Sequence, residues 1–167
     1  MPQFFVGNVR HPNVSHCRLC YDHCEYTESH EFSDTNIDMT RTLRVLLVED
    51  SKVLTERLSE VISQSADVNL IGAVDNELDA VSRVKVDDVD VMILDLHLKQ
   101  GTGFGVLRAL AKTSFRPKVI VLTNYDLPEY KSAAMALGAR YFLDKARDYD
   151  RIAEVLSEIC LSNQSTN

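Results

Sequence analysis

No apolar run in the chain approaches the roughly 20 residues that cross a bilayer, and the N-terminus carries neither a basic leader nor the long apolar stretch of a secretory signal. A soluble, cytoplasmic protein is expected. Positive charge is also in short supply: 18 lysines and arginines stand against 25 aspartates and glutamates, a net of −7. A surface of that sign cannot displace counterions from phosphates, which argues against direct DNA or RNA binding. Cysteine is scarce, and three of the four, Cys17, Cys20 and Cys24, crowd into one short stretch instead of spreading as a disulfide framework would. The fourth, Cys160, falls in a helical pattern and reads as a core residue. With 167 residues the chain has room for one domain and a tail, not for two full-sized domains.

What is present changes character partway along. Residues 1–41 show no sustained hydrophobic period and read as an N-terminal tail without fixed structure. Inside it, "HCRLCYDHCEYTESH" sets Cys17, Cys20 and Cys24 at C-x2-C-x3-C spacing near His16, His23 and His30, a set that could hold Zn2+. No second C-x2-C or H-x3-H module follows at the usual distance, so a plain tail, or a redox or partner-docking segment, competes with that reading. Met39, just ahead of the first apolar run, raises the expectation of a natural start there, with the residues before it dispensable.

From Leu43 onward a strand-helix unit repeats. "LRVLLV" (Leu43 to Val48) is a strand, and Leu54, Leu58, Val61 and Ile62 then recur at helical spacing. "VNLIGAV" (Val68 to Val74) precedes a helix with Leu78, Val81 and Val84; "DVMILDL" (Asp90 to Leu96) precedes one marked by Phe104, Leu107, Leu110 and Ala111. "KVIVLT" (Lys118 to Thr123) leads to a helix opened by Pro128 and closed by Gly138. "ARYFLDK" (Ala139 to Lys145) leads to a last helix with Ile152, Val155, Leu156 and Ile159. Five βα units predict an α/β, doubly wound, five-stranded parallel sheet over 42–161, with 162–167 as a C-terminal tail.

In such a fold the residues just past the strands meet in one crevice. Those residues are Glu49 and Asp50, Asp95, Thr123 and Lys145. An aspartate after a strand is also an ordinary helix cap, so Asp95 alone proves little. Three carboxylates together, however, repel unless a cation sits among them, and hard oxygen donors with open positions suit Mg2+. A lysine ammonium and a threonine hydroxyl beside them suit phosphoryl oxygens. "GTGFG" (Gly101 to Gly105) lacks the spacing of a dinucleotide fingerprint and the Lys-Ser or Lys-Thr of a P-loop; it reads as a turn and helix entry.

"LLVEDS", "ILDLHL" followed by "GTGFGVL", "VIVLT" and "ALGARYFLDK" together resemble the receiver domain of two-component response regulators, from about Leu43 to Ile159. The resemblance implies the flavodoxin-like strand order 2-1-3-4-5. It implies Asp95 as phosphoacceptor, and Glu49, Asp50, Asp95 and the backbone carbonyl of His97 as Mg2+ ligands. It further implies Thr123 and Phe142 as the switch pair and Lys145 as the lysine that bridges to the acyl phosphate. The partners implied are a histidine kinase or phosphotransfer protein upstream and a protein target downstream, met through the surface of the fourth helix, fifth strand and fifth helix (Tyr130, Lys131, Tyr141).

Five positions depart from the family pattern or tune it. Ala146 replaces the usual proline after the lysine, Asn124 is larger than the usual residue after Thr123, and Lys99 stands where proline is frequent. His97 and Tyr125 occupy positions that tune acyl-phosphate hydrolysis in the family; the His97 imidazole is expected to face solvent, not to act as a base. A cis peptide to a non-proline residue costs about 2.5–4 kcal/mol, so a trans Lys145–Ala146 bond is expected. The expected protein is a stand-alone phosphoacceptor switch, not an enzyme in its own right. Its rivals are an aspartate-nucleophile phosphohydrolase, disfavoured because neither "VED" nor "DLH" holds two aspartates spaced by one residue, and a receiver locked in one state as a docking module.

Overall fold

A computed structural model describes residues 42–164. The tail expected over 1–41, with Cys17, Cys20 and Cys24 and the zinc reading attached to them, lies outside the described residues, as does Met39. Strands and helices alternate: β1 (Leu43–Val48), α1 (Lys52–Ser63), β2 (Val68–Val74), α2 (Glu77–Val86), β3 (Val91–Leu94), α3 (Gly103–Ala111), β4 (Lys118–Thr123), α4 (Pro128–Ala136), β5 (Ala139–Asp144) and α5 (Arg151–Gln164). All strand pairs are parallel and the order is β2-β1-β3-β4-β5, the doubly wound, flavodoxin-like arrangement expected.

Because successive side chains on a strand point to opposite faces, the apolar runs of β1 and β3 feed two cores at once. Val45, Leu47 and Ile93 pack with Leu58 and Ile62 of α1 and Ile152, Val155, Leu156 and Ile159 of α5. Leu46, Val48, Met92 and Leu94 face the other way, against Ala80 and Val84 of α2, Val106, Leu107 and Leu110 of α3, and Ala134 of α4. Each fully buried aliphatic side chain here contributes about 1.5–3 kcal/mol of transfer free energy.

Helix starts are written in capping residues. Asn76 Oδ1 accepts from Asp79 N at 2.9 Å and Thr102 Oγ1 from Gly105 N at 3.0 Å, which satisfies donors that the first turn leaves orphaned. Leu127 offers α4 no side-chain cap; Pro128, preset for the first helical position, starts it.

Three expectations shift. β3 is four residues, not seven, because beyond Leu94 the chain turns into a loop closed by a His97–Thr102 bridge; Asp95 N still donates to Val48 O at 2.9 Å. On α2 the buried residues are Ala80 and Val84, while Leu78 is 75% exposed: it precedes Ala80 by two positions and so lies across the helix from the core. α5 continues to Gln164, past the boundary expected at 161. Among the described residues no helix is long and apolar enough to cross a membrane.

Candidate functional site

Parallel pairing brings the carboxyl ends of β1, β3, β4 and β5 to one edge, where the three carboxylates and Lys145 meet. Carboxylate oxygens of Glu49, Asp50 and Asp95 lie within 4.8 Å of one another. Lys145 places its Nζ 2.7 Å from Glu49 Oε2 and 2.7 Å from Asp95 Oδ2, with its side chain only 8% exposed. Glu49 and Asp95 are buried, whereas Asp50 is exposed at the rim.

Local structure explains these positions. Glu49 follows the last residue of β1, its Oε1 accepting from Ser51 N at 3.1 Å, so both of its oxygens are engaged. Burial pushes the Glu49 carboxyl above its ordinary range, and the Lys145 ammonium opposes the shift only in part. Three carboxylates against one ammonium leave a formal charge of −2, which one divalent cation closes to zero. The all-oxygen donor set, with an exposed Asp50 open to solvent, fits Mg2+, which keeps waters and takes few carboxylates.

Lys145 stands just beyond β5, yet its N–H continues the ladder to Thr123 O at 2.9 Å. No cis peptide occurs among the described residues, so Lys145–Ala146 is trans, as expected. The loop finds a different brace from a proline turn: Asp144 Oδ1 accepts from Ala146 N at 2.8 Å and from Arg147 N at 2.9 Å, and Asp148 Oδ2 accepts from Asp144 N at 3.1 Å. Proline at 146 would lack the first of these donors.

Thr123 ends β4 fully buried, its Oγ1 accepting from Tyr125 N at 3.3 Å. Phe142, opposite Val121 in the β4–β5 register, is half-buried against the α2–α3–α4 core. Tyr130 and Tyr141 are half-buried and Lys131 is exposed. His97 is exposed, as expected, but is not free in solvent. Its ring stacks on Tyr125 at 4.1 Å between centroids, and Tyr125, Tyr130 and Phe104 continue the aromatic row.

Sequence reasoning missed the wall on the β2 side. Asp75 and Lys99 pair at 3.2 Å, and the Asn76 amide followed by Lys99 holds the Asp75 carboxyl below its usual range. Together with Glu49, Asp50 and Lys52 they line a groove of about 380 Å³ beside the carboxylate cluster. The available signal was Lys99 in a position where proline is frequent.

A family model described as response regulator receiver domain matches residues 45–157. Among curated proteins, protein-glutamate methylesterase/protein-glutamine glutaminase 5 of Myxococcus xanthus is 33% identical over 120 residues, covering 70% of this chain and 34% of that protein. Sensory transduction protein LytT of Bacillus anthracis is 28% identical over 123 residues, covering 74% of this chain and 49% of its own length. The chain thus spans half or less of these two relatives. Among solved structures, the signal receiver domain of the putative response regulator NarL from Mycobacterium tuberculosis superposes with a TM-score of 0.67 at 24% identity, covering 72% of this chain and 97% of that one.

Proposed function

The chain belongs to the response regulator receiver family, and from that membership we propose that it is a phosphoacceptor switch, charged on Asp95 by a histidine kinase or phosphotransfer protein and read by a downstream protein. The observation that carries this reading is the Lys145 ammonium, seated 2.7 Å from both Glu49 and Asp95 beside Asp50. Family receivers bind Mg2+ through acidic residues; here Glu49, Asp50, Asp95 and the His97 carbonyl would hold it. When bound, Mg2+ supplies charge neutralisation for the incoming phosphoryl group.

The chain's own groups then do the following. An Asp95 carboxylate oxygen attacks phosphorus, the P–N bond of the donor phosphohistidine breaks, and its electron pair stays on the imidazole nitrogen, which takes up a proton. The transition state is loose, so positioning and charge placement carry the catalysis. Lys145 exchanges part of its bond to Asp95 for a phosphoryl oxygen, and the new group brings about −2 of charge that draws the Thr123 hydroxyl inward. Thr123 Oγ1 holds Tyr125 N, so that movement tugs the β4–α4 loop, and Phe142 on the neighbouring β5 is the aromatic member of the switch. The acidic surface, net −7, suits a protein partner over nucleic acid, in the cytoplasm where such donors act.

Incubation of the full chain with phosphoramidate, whose P–N bond mimics phosphohistidine, tests the reading by intact mass. The expected result is a gain of one phosphoryl group that requires Mg2+ and is removed by hydroxylamine. Catalytic release of phosphate without a stable adduct would mark an aspartate-nucleophile phosphohydrolase, and no reaction at all a locked docking module.

A further inference from the structure

We propose that Glu77 is a positioning residue for the backbone that follows Asp95, acting from a seat made by the glycines of "GTGFG". Glu77 opens α2, 18 residues before Asp95 in sequence, yet its Oε2 accepts from Thr102 N at 3.0 Å, the cap of α3. Its own N–H donates to Gln100 O at 3.0 Å, Lys99 N donates to Asp75 O at 3.2 Å, and Asn76 and Gln100 form a parallel bridge. The turn after β2 and the loop after β3 are therefore zipped together along 75–77 and 99–102.

The glycines show what the seat is for. A methyl at Gly105 would overlap both carboxylate oxygens of Glu77, and one at Gly101, where φ is +81°, would fall 2.5 Å from Glu77 Cβ and Oε2. Gly103 faces the other way: a methyl there would overlap the carbonyl oxygen of Asp95, and Gly103 N donates to Leu96 O at 3.0 Å. One motif thus binds a carboxylate on its outer side and presses against the Asp95 peptide on its inner side. Between the two lies the loop closed by the His97–Thr102 bridge, which carries the His97 carbonyl that, on the receiver reading, would complete the Mg2+ ligand set.

A carboxylate accepting a backbone N–H is a stronger tie than a neutral acceptor, and Mg2+ demands near-ideal octahedral geometry, so slack in this loop is read as lost metal affinity. The proposal rests on the receiver reading for the His97 carbonyl. Three variants of the full chain separate positioning from stability. Glu77→Ala removes the acceptor, Glu77→Gln keeps one, and Gly105→Ala pushes the Glu77 side chain out while placing a better helix former in α3.

Mg2+ affinity is measured by calorimetry, amide exchange at 97–105 without Mg2+, and the urea midpoint. Glu77→Ala and Gly105→Ala should each weaken Mg2+ binding by about tenfold, in the range of ligand-supporting residues, and speed exchange at 101–105. Glu77→Gln, which keeps a neutral and weaker acceptor, should fall between Glu77→Ala and wild type, and Gly105→Ala should not lower the midpoint. Unchanged Mg2+ affinity and exchange in both Glu77→Ala and Gly105→Ala would overturn the positioning role while leaving the receiver reading intact. A wild-type chain that binds no Mg2+ would overturn both.

Discussion

Replacing Lys145 by methionine removes the ammonium and keeps most of the aliphatic stem, so it isolates the charge. Each 2.7 Å contact, to Glu49 and to Asp95, is worth about 6 kcal/mol of gross Coulomb attraction at an effective dielectric of about 20. Desolvation of the three groups, several kcal/mol per ion, cancels much of it. What the variant exposes is the remainder, two buried carboxylates without their cation, and breaking such an arrangement costs about 3–5 kcal/mol.

Protonation limits that loss. Burial already pushes the Glu49 carboxyl up, and the variant deletes the Lys145 contacts that opposed the shift, so the folded state holds a proton that the unfolded state releases. Where the folded state binds more protons, stability falls as pH rises; the penalty of Lys145→Met therefore grows upward through the raised Glu49 range and shrinks below it. Mg2+ should recover much of the loss, since the variant site lacks a competing cation and a ligand of the folded state alone stabilises it by mass action.

Urea unfolding followed by far-UV circular dichroism, with chelator or Mg2+, at about pH 5 and about pH 7.5, checks each step. A metal-free loss under about 1 kcal/mol, the size of a surface pair, equal at both pH values and indifferent to Mg2+, would refute the reasoning.

Gly103→Ala should destabilise the fold by about 1–3 kcal/mol, because the new methyl meets the Asp95 carbonyl, which is backbone and cannot yield; the urea midpoint reads it. Asp50→Ala should abolish Mg2+-dependent phosphoryl uptake while barely moving stability, because Asp50 is the exposed member of the cluster. Asp148 is held below the usual carboxylate range by the Asp144 N–H and then by Arg151. With a lowered folded value its contribution is complete above the ordinary aspartate range and fades as pH falls through the lowered one, so Asp148→Ala should flatten the acid limb of the stability curve.

Strand ends made most of the carboxylate cluster readable in advance. "LRVLLV" and "VMIL" are continuous apolar runs because β1 and β3 are covered on both faces, so the polar residue that ends each run marks the sheet edge. The Glu77 seat was invisible for the opposite reason. It joins two loops 25 residues apart through one side chain and two missing Cβ atoms, and no local periodicity records such a pairing. Leu78 misled because a helical period counts apolar residues without saying which face the sheet covers. The brace at Ala146 was half legible: the trans bond follows from the absence of proline, whereas the carboxylate that replaces the proline turn lies two residues upstream, in Asp144.

The central claim is that Asp95 accepts the phosphoryl group, and the most direct test is intact mass of the full chain after phosphoramidate and Mg2+, wild type beside Asp95→Asn. Asparagine keeps the size and position of the side chain but has no carboxylate to attack phosphorus. The wild type should gain one phosphoryl group and Asp95→Asn none. Full labelling of Asp95→Asn would contradict the claim.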